Sequence, residues 1–130
     1  MKIQTSLESG GFDKPHIPEG LYEAELTEVK DIADGQYGKR VLFIYKITSY
    51  KEQMELVHLA YVPAKATPDN KFGKVLIAHG VELGGEVDVD SLVGTRAKVM
   101  VEDYHYEDEV NGKKVDKIAS SITKVKPLGQ

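Results

Sequence analysis

Apolar and polar residues alternate over much of this chain, and the alternation marks out strands. Tyr22, Ala24 and Leu26 interleave with Glu23, Glu25 and Thr27, which predicts a first strand over residues 19–32 with one buried and one acidic face. Residues 33–40 carry Gly35 and Gly38 and read as a turn. The second strand, residues 41–50, opens on an unbroken apolar run from Val41 through Tyr45. That run leaves two candidate outward faces, Phe43 with Tyr45 or Ile44 with Lys46. Residues 51–55 form a polar turn, and a third strand over residues 56–62 ends at Pro63, with Tyr61 on the face opposite His58.

The period then changes. Phe72, Val75, Leu76 and His79 share one helical stripe. Thr67-Pro68-Asp69-Asn70 supplies a start signal, with a capping side chain and a proline at the first position, and Gly80 supplies the stop. His79 is placed to favour the negative end of the helix dipole. Past Gly84-Gly85 and an acidic linker, residues 93–122 read as a long hairpin. Ala97, Val99 and Val101 alternate with Arg96, Lys98 and Met100, and Val115, Ile118 and Ile122 mark the returning arm. Asn111-Gly112 is the dipeptide best suited to the positive φ angles of a tight hairpin turn.

Three strands, a helix and a closing hairpin give the element order of the OB-fold, a five-stranded, partly open barrel with its helix between the third and fourth strands. The expected class is therefore all-β, with another small barrel or a sandwich as the rival. Residues 1–18 read as a flexible arm anchored near Ile17, residues 19–126 as a single OB-fold domain and residues 127–130 as a tail.

Charge narrows the functional classes. The chain has 130 residues with 17 basic and 21 acidic side chains, net -4, which argues against coating nucleic acid by bulk charge but leaves room for a local basic strip. There is no cysteine, so disulfides, thiolate nucleophiles and Cys-ligated metals are out. No signal peptide and no membrane-length apolar run is visible, and a cytoplasmic protein without a membrane partner is expected.

The signatures of catalysis are missing. His16, His58, His79 and His105 show no i, i+4 metal spacing, and no nucleophile elbow or phosphate-cradling loop occurs. The acidic residues around Asp88 and Asp90, and from Glu102 to Glu109, do not meet the ligand positions of a calcium loop. We expect no enzyme activity, no cofactor, no metal and no small-molecule substrate.

Nucleic-acid binding remains. An OB-fold binds strands across its second and third strands, between the loops joining strands one–two and four–five. The first of these loops, residues 35–39, brings Tyr37, Lys39 and Arg40. The other, residues 108–114, brings Lys113 and Lys114. Strands two and three add Tyr45, Lys46 and Tyr61, and the hairpin adds Arg96, Lys98, Tyr104 and Tyr106. Rings set among cations suit base stacking and phosphate contact.

The sequence also resembles a family. Pro18-Glu19-Gly20-Leu21-Tyr22-Glu23-Ala24, then Gly38-Lys39-Arg40-Val41-Leu42-Phe43-Ile44-Tyr45, is similar to the opening of phage-type OB-fold proteins likened to single-stranded DNA-binding proteins. Leu92-Val93-Gly94-Thr95-Arg96-Ala97-Lys98-Val99, with a tyrosine-bearing strand and an Asn-Gly turn, fits the same pattern, and the resemblance covers residues 18–126. It implies single-stranded DNA binding in viral or prokaryotic replication or recombination, with RNA left open as a ligand. The net acidity keeps a second expectation in view: a protein-interaction module on an OB scaffold that self-associates or engages a basic partner.

Overall fold

Alternation in the first half of the chain becomes three strands, β1 (Gly20–Gly35), β2 (Gly38–Ile47) and β3 (Glu55–Tyr61), in a computed structural model that describes residues 1–3 and 14–129. A single helix α1 (Lys71–Ala78) and a 3-10 turn (Val89–Leu92) follow, and then the hairpin strands β4 (Arg96–Val110) and β5 (Lys113–Lys126). All pairings are antiparallel within one sheet of order β3-β2-β1-β4-β5. The fold is all-β and OB-like.

Gly35 pairs with Gly38, so the turn between β1 and β2 is shorter than residues 33–40 and consists of Gln36 and Tyr37. The β1 register skips Thr27, a bulge whose hydroxyl donates to the Ile44 carbonyl at 3.1 Å. Such a bulge bends and twists its strand. It falls where β1 turns from its pairing with β4 to pair with β2 alone.

The inner face carries Ala24 and Leu26 of β1, Phe43, Tyr45 and Ile47 of β2, and Ala97, Val99 and Val101 of β4, all fully buried. Phe72, Val75 and Leu76 of α1 join this core, as the helical stripe requires. The helix begins three residues later than Pro68 would set it. Its cap is Asn70, whose Oδ1 accepts from Gly73 N at 2.8 Å. The preceding turn lies so close to the first helical turn that a Cβ on Gly73 would stand 1.8 Å from the Thr67 carbonyl oxygen. The end is a Schellman motif: Val81 N donates to Leu76 O, Gly80 N donates to Ile77 O, and Gly80 takes φ +86°.

At the hairpin tip Asn111 and Gly112 have φ of +53° and +77°, as a two-residue type I′ turn demands. β3 and β5 are the two edges of the sheet, and among the described residues no ladder joins them. They meet instead through a side chain, with the His58 Nδ1–H donating to the Ile122 carbonyl at 2.7 Å.

Of the expected arm, residues 4–13 lie outside the described residues. The segment after them is docked. Ile17 is 2 % exposed; its N–H donates to Ser120 Oγ at 2.9 Å and its carbonyl accepts from the same hydroxyl at 3.1 Å. Ser120 N in turn donates to the Pro15 carbonyl at 2.9 Å.

Candidate nucleic-acid interface

Cross-strand register fixes what the outer face of β2 and β3 presents. Arg40 stands opposite Tyr61, Leu42 opposite Leu59, Ile44 opposite Val57 and Lys46 opposite Glu55. The middle of this strip is aliphatic and open to solvent, with Val57 41 % exposed. One end is aromatic and cationic. Tyr37, in the β1–β2 turn and 77 % exposed, meets Tyr61 edge-to-face at 5.7 Å between ring centroids. Arg40 is oriented beside them by its Nε–H, which donates to the Ala33 carbonyl at 3.0 Å. A Cβ on Gly35 would lie 2.5 Å from the Tyr61 hydroxyl and 2.7 Å from Arg40 Cδ, so glycine there lets both side chains settle onto the turn. Lys39 is exposed nearby, 3.8 Å from Asp31 in a loose surface pair.

Other expected members of the groove are elsewhere. Tyr45 is a correction: it is fully buried on the inner face and offers no ring to a base. The apolar run at the start of β2 hid which face was inward, and the five-stranded sheet buries Phe43 with Tyr45 rather than Ile44 with Lys46. The Tyr45 hydroxyl reaches His79 Nε2 at 2.7 Å, while His79 Nδ1 lies 2.7 Å from Thr95 Oγ1. Because the Thr95 hydroxyl spends its proton on the Leu92 carbonyl at 2.5 Å, its oxygen must accept from Nδ1–H, leaving Nε2 to accept from the phenol. The chain fits a neutral imidazole, and burial pushes His79 down to about 4. His79 is therefore a neutral, half-buried residue at the helix C-cap rather than a cation serving the dipole. Burial likewise raises Tyr45 far above the ordinary phenol range.

Lys46, Arg96 and Lys98 form a separate group. Glu25 of β1 stands between Lys46 on β2 and Arg96 on β4, and Glu23 stands opposite Lys98. Opposite charges in register stabilise a sheet, and this row sits at the strand ends away from Tyr37.

On the hairpin, Tyr104 and Tyr106 lie 6.0 Å apart between ring centroids. The docked segment reaches them: Lys14 Nζ stands 4.5 Å from the Tyr106 centroid and 5.8 Å from that of Tyr104, and Lys14 N donates to the Tyr106 hydroxyl at 3.2 Å. Tyr106 thus shows its ring to a lysine, whereas Tyr104, 36 % exposed, also lines a shallow depression of about 410 Å³ with Val57 and Leu59 along the β3–β5 seam. Lys113 and Lys114 are exposed beside the tip, Lys114 opposite Glu109. Asp108 accepts from Lys117 Nζ at 3.0 Å, and that hydrogen bond holds its carboxyl below the usual range.

Two features escaped the sequence. His58 is 1 % exposed, and burial lowers it to about 4, helped by the charge of nearby Lys71 and opposed by its hydrogen bond to Ile122. Lys71 and Lys74 of α1 share a cleft with Lys124 and Lys126 of β5. Residues some fifty positions apart give no local signal of such a meeting. Among the described residues no three His, Asp or Glu side chains converge as a metal site, and no helix is long and apolar enough to cross a membrane. No family model matches the chain, and no curated protein matches it in sequence.

Proposed function

We propose that this chain is a non-enzymatic single-stranded DNA-binding protein of low sequence specificity, akin to the phage-type OB-fold binders its sequence resembles and serving replication or recombination. The supporting observation is the outer strip of β2 and β3. It is the surface on which OB-folds bind strands, and it carries Tyr37, Tyr61 and Arg40 at one end of an exposed aliphatic ladder. Tyrosine faces accept any base, at roughly 1–3 kcal/mol for each base stacked, and an arginine beside them can hold a phosphate. Titration of a fluorescent oligo-dT at two salt concentrations tests the reading. Binding that weakens as salt rises is expected, and no binding at tens of micromolar in low salt would sink it.

The aliphatic middle of the same strip, Leu42, Ile44, Val57 and Leu59, favours a second reading in which the face docks a protein, including another copy of this chain. Light scattering behind size exclusion separates the two. Concentration-dependent dimers that Val57→Lys abolishes would support this second reading.

A further inference from the structure

Net acidity makes unpaired cations informative. This chain has more carboxylates than basic groups, yet it gathers four lysines around one cleft. Lys71 and Lys74 come from α1, Lys124 and Lys126 from β5, and among the described residues the only carboxylate on the lining is Asp69. Among the described residues none of these four lysines has a carboxylate within 4.0 Å. The arrangement works against stability. Lys71 and Lys74 are i, i+3 neighbours on the helix, and Lys126 stands opposite Lys98 in the β4–β5 ladder, where Glu23 faces Lys98 from the other side and not Lys126. Although Lys71 is exposed along its length, protein around its ammonium displaces enough water to lower its proton affinity. An anion from outside would relieve all of these repulsions.

The cleft encloses about 690 Å³, and Val75, Ile77 and Pro127 give it an apolar wall beside the lysines. It is also continuous with the outer surface. Lys71 and Thr123 line both this cleft and the depression that holds Val57, Leu59 and Tyr104 on the β3–β5 seam. A strand lying on β3 therefore runs along the seam into the lysines without leaving the surface.

We infer that the α1–β5 cleft holds consecutive phosphates of a single-stranded nucleic acid, on the stretch that continues beyond β3. The inference rests on the single-strand-binding reading. It adds a second binding region in which lysine point charges take the backbone and the apolar wall takes the sugars. It also predicts a binding site longer than the β2–β3 strip alone.

The test is the salt dependence of oligo-dT binding, measured with a short oligonucleotide that spans only the strip and with a long one. In the double variant Lys74→Ala/Lys124→Ala, whose side chains line the cleft and not the β3–β5 depression, the slope of log affinity against log salt should shrink by about 1.4 for the long oligonucleotide, near 0.7 for each phosphate no longer neutralised. The short oligonucleotide should show no change. Lys51→Ala, in the β2–β3 turn, should leave both slopes as they are. A wild type that binds, with an unchanged long-oligonucleotide slope in the double variant, overturns the cleft assignment and leaves the strip standing. A wild type that binds neither oligonucleotide overturns both readings. Binding of polyglutamate, but not of DNA, through these same lysines overturns the assignment in favour of an acidic peptide. Thermal melts of each variant confirm that the folded protein is compared throughout.

Discussion

The phenol of Tyr45 donates to Nε2 of His79 across 2.7 Å, joining β2 to the end of α1 at the margin of the core. The bond requires a neutral imidazole, and that sets a pH dependence. His79 and His58 each titrate near 4 in the folded chain against 6.5 when unfolded, so the unfolded chain takes up protons first on acidification. Stability is full above pH 6.5, falls as pH drops from 6.5 to 4 and levels below that. The loss should be about 3 kcal/mol for each histidine. Urea unfolding at neutral pH and again between the two pKa values checks it; equal stability would mean that the imidazoles are not held neutral.

Tyr45→Phe removes the donor and leaves Nε2 of the half-buried imidazole without its partner. The expected cost is about 1–3 kcal/mol, from the unsatisfied acceptor rather than from lost volume. Because Tyr45 is wholly internal, oligonucleotide affinity of the folded variant should not change. Affinity that fell as it does for a surface tyrosine would return Tyr45 to the binding face.

Gly73→Ala sets two principles against each other. Alanine is the better helix former by about 1 kcal/mol. Here its Cβ would sit 1.8 Å from the Thr67 carbonyl oxygen, a backbone atom that cannot swing aside. We expect net destabilisation of about 1–3 kcal/mol, read from the denaturant midpoint. A stabilised variant would show that the turn over α1 yields easily.

Gly35→Ala meets side-chain ends instead, the Tyr61 hydroxyl and the Arg40 stem, and these can move. Its melting temperature should stay near that of the wild type while oligo-dT binding weakens. Tyr61→Ala should cost binding about 1–3 kcal/mol, the worth of one stacked base. If both variants bind as the wild type does, the strip is not the nucleic-acid surface.

Period-2 alternation made the inner residues of β4 legible, and Asn111-Gly112 made the hairpin turn legible, because each signal lies within a few residues. Tyr45 was ambiguous for the converse reason: Val41 through Tyr45 is apolar on both faces, so alternation could not choose. The grouping of Lys46 and Arg96 around Glu25 depends on the registers of two ladders that meet on β1. The lysine cleft depends on how α1 lies against β5. Neither arrangement is written in any short window of sequence.

Ser120 pins the docked N-terminal segment with two hydrogen bonds to Ile17, one accepted and one donated. Ser120→Ala should release that segment at a cost of about 1–3 kcal/mol. Amide exchange at Ile17 should accelerate well beyond that of the β1–β2 ladder. Exchange at the wild-type rate would show that burial of the Ile17 side chain alone holds the segment.

That clasp also imposes an order on assembly during synthesis. Ile17 and Ser120 are 103 residues apart, so the ribosome makes the side chain to be covered long before the strand that covers it. At ~5–20 residues per second the interval is about 5–20 s. Throughout it β1, β2 and β3 can pair, while the seat for Ile17 does not yet exist. The nascent chain thus carries Ile17 ahead of its first strand without its Ser120 partner until that part of β5 has been made.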